Sequence, residues 1–181
     1  MTIRPIRQVG DPVLRTPTDP VREFDDRLQH LVADMFETMY DAPGVGLAAN
    51  QIGVSLRLFV YDCGVDDEHQ DIPGDGERIG VVCNPRITKL GGRDPHDPGP
   101  PDWTRGDEGC LSVVGLSFET PRWSQATVEG FDQFGKPVTV SGTGLLARCL
   151  QHETDHLDGK LYLDRLVGEQ RAEARRALEE R

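Results

Sequence analysis

With 181 residues, 36% hydrophobic and 28% charged, the chain suits one well-buried domain, and no apolar run approaches the roughly 20 residues of a membrane span. A net charge of −11 and a pI near 4.8 argue against binding free nucleic acid, because the phosphate backbone requires a basic face. The start, Met-Thr-Ile-Arg-Pro-Ile-Arg, lacks the apolar stretch of a signal peptide, so a cytoplasmic location is expected.

Gly10-Asp11-Pro12 opens the N-terminal arm with turn chemistry, and Val13 and Leu14 anchor it across the domain. Asp25 or Asp26 then caps a helix in which Leu28, Leu31, Val32, Met35, Phe36 and Met39 recur at helical spacing, ending near Tyr40. His30 falls off that stripe and reads as a solvated or edge histidine. The segment Gly44-Val45-Gly46-Leu47-Ala48-Ala49-Asn50-Gln51 carries small residues that allow close backbone approach. Taken alone it is a tight turn, with Gln51 an unremarkable surface residue.

Strands are expected at Leu56–Tyr61, Ile79–Cys83, and, after Pro85, Arg86–Leu90. The acidic stretch 66–77, with His69, reads as a solvated excursion. A second excursion, Gly91–Asp107, holds His96 and Trp103 and is too rich in proline and glycine for a regular element. Neither has calcium-ligand spacing. Further strands are expected at Phe118–Thr120, Ala126–Phe131 and Val138–Val140, with Asp132-Gln133-Phe134-Gly135 as a hairpin turn. Trp123 reads as packing, as do Cys63 and Cys83. The four cysteines have no tight pair, which favours thiols or a ligand over a disulfide framework.

Gly144 to Gly159 forms the helix on which the rest depends, with Thr143 and Gly159 as caps. His152 and His156 are four apart, so one helix face presents both imidazoles to a single cation. Glu153 adjoins His152 and points off that face, which suits a base better than a ligand. Two adjacent stripes, Leu145-Cys149-His152-His156 and Leu146-Leu150-Glu153-Leu157, predict a helix buried on most sides. Cys110 is the candidate third ligand, leaving one tetrahedral position open; the competing reading is a nucleophilic Cys110 with a histidine base, in which the second histidine has no role. The closing segment Gly168–Arg181 is rich in Arg, Glu and Ala, consistent with a surface helix of charge pairs or a solvated tail.

Three segments, Gly44 to Gln51, Glu108-Gly109-Cys110-Leu111-Ser112 and Gln151 to Gly159, together resemble the three ordered motifs of the peptide deformylases. The likeness extends over Ile3 to Val167. It implies an α+β fold, with antiparallel or mixed strands packed around the central helix that carries the His-Glu-x-x-His motif. Residues 1–168 would be the catalytic domain and 169–181 a charged helix or tail. The implied reaction is hydrolysis of the formyl group from the N-terminal formyl-methionine of newly made polypeptides, releasing formate. The resemblance assigns Cys110, His152 and His156 to the metal, and Glu153 as general base and acid for a metal-bound water that attacks the formyl carbon. Gln51 and the backbone N–H of Leu111 would steady the formyl oxygen. Gly46 would offer backbone to the peptide, while Val45, Leu145 and Cys149 would line the methionine pocket. Ferrous iron is implied as the native ion, with zinc or nickel on isolation. Val114 stands where many members have proline, and both excursions are longer than in compact members. A zinc endopeptidase and a deformylase-like binding protein docking at the ribosome through its tail are the alternatives. The first requires only His-Glu-x-x-His; the second gives Glu153 no task.

Overall fold

A computed structural model describes residues 2–64, 77–91 and 103–180. All but Glu77 of the acidic excursion, with His69, and most of the proline-rich excursion, with His96, lie outside them. The first helix, α1, spans Asp26–Asp41, and Asp25 caps it by accepting a hydrogen bond from the Leu28 N–H at 3.0 Å. Its apolar stripe buries Leu28, Val32, Met35 and Met39 as the spacing predicts. Beyond it come β1 (Gly46–Ala48), a 3-10 turn (Ala49–Ile52), β2 (Leu58–Asp62) and β3 (Ile79–Leu90). Strands β4 (Trp103–Gly109), β5 (Ser117–Trp123), β6 (Gln125–Phe131) and β7 (Pro137–Thr143) follow, then α2 (Gly144–Leu157). A 3-10 turn (Tyr162–Arg165) leads into α3 (Gly168–Glu179).

Five strands form one antiparallel sheet in the order β1-β2-β3-β6-β7, while β4 and β5 pair as a separate hairpin. The alternation of side chains along a strand explains the layering. Phe59, Tyr61 and Val82 join Ala126, Val128, Leu146 and Leu150 in the core between the sheet and α2. Leu58, Val60 and Cys83 turn the other way and pack with Met35 and Met39 of α1. A third cluster, including Leu14, Phe118, Leu161, Tyr162 and Ala174, ties the N-terminal arm and α3 to β5. The expected α+β arrangement around the histidine helix is therefore present, with the sheet held between two helices.

Three local expectations are corrected. Residues 79–90 form one strand rather than two, because the chain passes Pro85 in a bulge: three steps from Cys83 to Arg86 face two on β6. Asn84 adopts φ 52° there, and its side chain replaces ladder bonds by accepting from Val21 N–H and donating to Val21 C=O. A Cβ on Gly130 opposite would come within 2.6 Å of the Cys83 carbonyl oxygen, so glycine is needed to admit the bulge. Second, the excursion ends earlier than expected: residues 103–109 pair one for one with β5, and ladder hydrogen bonds stabilise the strand despite its glycines. Third, Asp158 occupies the C-cap of α2 and Gly159 follows it at φ 72°. Thr143 stands at the N-cap, but its side chain makes no capping hydrogen bond.

Candidate metal centre

Every residue of α2 from Leu146 to Leu157 except Arg148 is buried, so the helix presents its polar side chains to the interior. His152 and His156, one turn apart, bring their Nε2 atoms to 3.1 Å of one another, and Cys110 Sγ lies 3.2 Å from His156 Nε2. All three donor atoms fall within 4.8 Å of one another. A tetrahedral ion with the usual Zn–N and Zn–S bond lengths holds its ligand atoms roughly 3.3–3.6 Å apart, so the three converge closely enough to share one ion. Two imidazoles and a thiolate also suit a borderline divalent cation. The donor set fits a resident metal ion.

Cys110 follows β4 directly, and two hydrogen bonds within its own loop hold it in a turn. The Ser112 N–H points to Cys110 Sγ at 3.4 Å, and the Val113 N–H donates to the Cys110 carbonyl at 2.9 Å. Gln51 reaches the same sulfur from the 3-10 turn after β1. Its Oε1 accepts from the Ala48 N–H at 2.8 Å, which fixes the amide so that Nε2 donates to Ser112 Oγ at 3.2 Å and faces Cys110 Sγ at 3.7 Å. At 1% exposure, Gln51 is a core residue, contrary to what its segment alone suggested.

A cavity of about 630 Å³ opens over these groups. Val45, Gly46, Gln51, Cys110, Leu111, Leu145, Cys149, His152 and Glu153 all line it, while His156 lies behind them. Val114, 61% exposed, forms part of the rim. Gly46 leaves the room that Glu153 occupies: a Cβ would sit 2.4 Å from Glu153 Oε1 and 2.9 Å from Cys149 Sγ, so either side chain would have to move to admit one. Glu153 Oε2 is buried and, among the described residues, has no hydrogen-bond partner. Burial drives the Glu153 pKa up to about 7, above the ordinary carboxylate range.

Four residues given no role from the sequence complete the surroundings. Glu108 Oε1 pairs with His152 Nδ1 at 2.5 Å, the second-layer contact that orients a ligating imidazole. Arg122 forks onto both Glu108 oxygens at 3.1 and 2.7 Å and reaches Asp155 Oδ2 at 2.6 Å. Arg148 donates through Nη2 to Glu108 and to the Gly106 and Thr120 carbonyls. Burial would raise the Glu108 pKa, but the hydrogen bonds with His152 and Arg122 outweigh it and hold the carboxyl at about 2. Burial likewise disfavours charge on both histidines; contacts with Cys110 and Glu108 reverse this for His152, raising its pKa. Nothing does so for His156, which burial and the neighbouring His152 hold well below the usual value. Glu108 and Asp155 lie within the quoted motifs, and Arg148 sits one turn before His152, so their positions carried a signal. Arg122 carried none: only the β4–β5 register, with Arg122 opposite Thr104, places it on the Glu108 face.

A family model described as polypeptide deformylase matches residues 3–172. A peptide deformylase of Acidothermus cellulolyticus is 52% identical over 180 residues, covering 99% of this chain and 88% of that protein. One from Mycolicibacterium paratuberculosis is 53% identical, covering 98% and 88% respectively. The crystal structure of a peptide deformylase from Legionella pneumophila superposes with a TM-score of 0.81 at 45% identity, covering 99% of this chain and 95% of that one.

Proposed function

The chain belongs to the polypeptide deformylase family, and from that premise we propose that it hydrolyses the formyl group from the N-terminal formyl-methionine of newly made polypeptides. The observation that carries the reading is the convergence of Cys110, His152 and His156 at a cavity that also holds a buried carboxylate, Glu153. When bound by these three side chains, a divalent ion supplies a Lewis acid and makes water more acidic at its open position. Glu153 accepts the proton from the attacking water and returns it to the departing amine as the formyl C–N bond breaks, so that formate and a free N-terminus result. Its burial and the unpartnered Oε2 support that role.

Gln51 Nε2 and the Leu111 N–H stabilise the formyl oxygen as negative charge develops there, and the fixed Gln51 amide avoids reorganisation during the reaction. Gly46 admits the peptide backbone beside Glu153, and Val45, Leu145 and Cys149 receive the methionine side chain. Ferrous iron is the native ion in this reading, with zinc or nickel replacing it on isolation; the thiolate and imidazole donors accept all three. The protein acts in the cytoplasm. Residues 1–168 are the catalytic domain, and 169–181, with Arg171, Arg175 and Arg176 exposed on α3, make transient contact with the ribosome. Among the described residues no helix is long and apolar enough to cross a membrane.

Formate release from a formyl-Met peptide, with little turnover of its acetylated counterpart, is the expected result. Equal rates on the two, or cleavage of an unformylated internal peptide bond, would overturn the assignment. Elemental analysis of Cys110→Ala should show reduced metal content; full occupancy would remove the thiolate from the ligand set.

A further inference from the structure

A line of ion pairs leaves the metal centre and ends outside the cavity. Arg165, in the 3-10 turn after α2, clamps Asp155 with Nε on Oδ2 at 2.9 Å and Nη2 on Oδ1. Asp155 Oδ2 also accepts from Arg122 Nη1, while Arg122 Nε and Nη2 fork onto Glu108, and Glu108 holds His152 Nδ1. The charges alternate along the line, and the side chains of Asp155, Arg122 and Glu108 are each no more than 8% exposed. Arg165 itself is 44% exposed.

We propose that Arg165 is a positioning residue for the metal centre, fixing His152 through the Asp155–Arg122–Glu108 relay. The proposal rests on His152 being a metal ligand. Both Asp155 oxygens are held by Arg165, so loss of that fork leaves the carboxylate on a single bond from Arg122 and able to rotate about it. Arg122 Nη1 is joined to Asp155 and the rest of the guanidinium to Glu108, and the group is planar and rigid. A rotation at Asp155 is therefore passed to the Glu108 fork. Glu108 Oε1 is the atom shared between Arg122 and His152, so the imidazole orientation is the last element to loosen. Arg4, 45% exposed and paired with Asp34 on α1, is equally exposed and is not part of the relay.

The test follows zinc release from the full-length, zinc-loaded protein into excess chromogenic chelator, alongside urea unfolding. Removing a direct partner of a ligand costs about 10–100-fold in metal affinity, so Arg165→Met, three contacts further out, should release zinc about three- to tenfold faster. Arg165→Lys, which keeps charge but not the fork, should recover part of the difference, and Arg165→Gln, a smaller structural change, should fall with Arg165→Met. Arg4→Met should leave release unchanged even where it lowers the unfolding midpoint. In the Co2+-loaded protein, the visible absorption of Arg165→Met should shift from that of the unsubstituted chain. Unchanged release in both Arg165→Met and Arg165→Gln, or equal acceleration in Arg4→Met, would overturn the relay. Unaltered zinc stoichiometry in His152→Ala would instead overturn the ligand assignment beneath it.

Discussion

Glu108 and Glu153 are comparably buried, at 8% and 3% exposure, and both lie beside His152, yet their surroundings drive them apart. Glu108 meets Arg122, Arg148 and His152, and its pKa falls to about 2. Glu153 is flanked by Gly46 and Cys149, keeps one oxygen without a partner among the described residues, and rises to about 7. Paired titratable groups separated in this way generally divide structural and proton-transfer tasks between them. A carboxylate locked by three donors cannot take up a proton cheaply, whereas one desolvated and unpaired can. On the proposed function, the cationic side of the centre holds a ligand still and the bare side handles protons.

That division can be broken most severely at Glu153. Glu153→Ala should lose about 10³-fold or more of its turnover while retaining its metal, because the base goes and the three ligands stay. Formate release with metal analysis on the same sample checks it, and an active variant would remove Glu153 from the chemistry. Glu108→Ala should instead show its main loss in stability, about 3–5 kcal/mol, since Arg122 and Arg148 lose the carboxylate that balances them. Urea unfolding measures that loss; a change under about 1 kcal/mol would mean the buried cations find other partners.

A subtler test moves Glu153 without removing it. The new Cβ of Gly46→Ala meets Glu153 Oε1, and displacing a reacting group by about 1 Å can cost around 10²-fold in kcat/KM. The unfolding midpoint should shift less than it does in Glu108→Ala, and wild-type turnover would show that the carboxylate position is not critical. Smallest is Leu145→Ala, on the cavity wall but 39% exposed. Loss of about 1 kcal/mol of apolar contact should raise KM for formyl-Met peptides roughly fivefold with little change in kcat. A fall in kcat alone would take Leu145 out of the side-chain pocket.

The histidine helix was legible because its information is local. A spacing of four residues puts two imidazoles on one face whatever surrounds the helix, and the leucines beside them announce burial. The α1 stripe was readable for the same reason, and its cap to within one residue, Asp25 or Asp26. Strand extent was less so: Pro85 and the glycines of β4 are breakers in isolation, and only a bulge and a partner strand outweigh them. Gln51 shows the limit most clearly, since its segment reads as a surface turn until Ala48 and Ser112 are seen to bind its amide in the interior.

By itself, then, the sequence determined the two-histidine face, the adjacent carboxylate, the helix burial, and, through three motifs in order, the family resemblance. Periodicity and motif spacing are short-range properties, and they survive without coordinates. Only the tertiary structure decided that Glu108 rather than Glu153 is held by cations, that Gly46 leaves room for Glu153, and that Arg165 is joined to His152 through three intervening side chains. Those facts depend on contacts between residues separated by 10 to more than 100 positions, where strand register and helix docking set the distances and no local pattern records them.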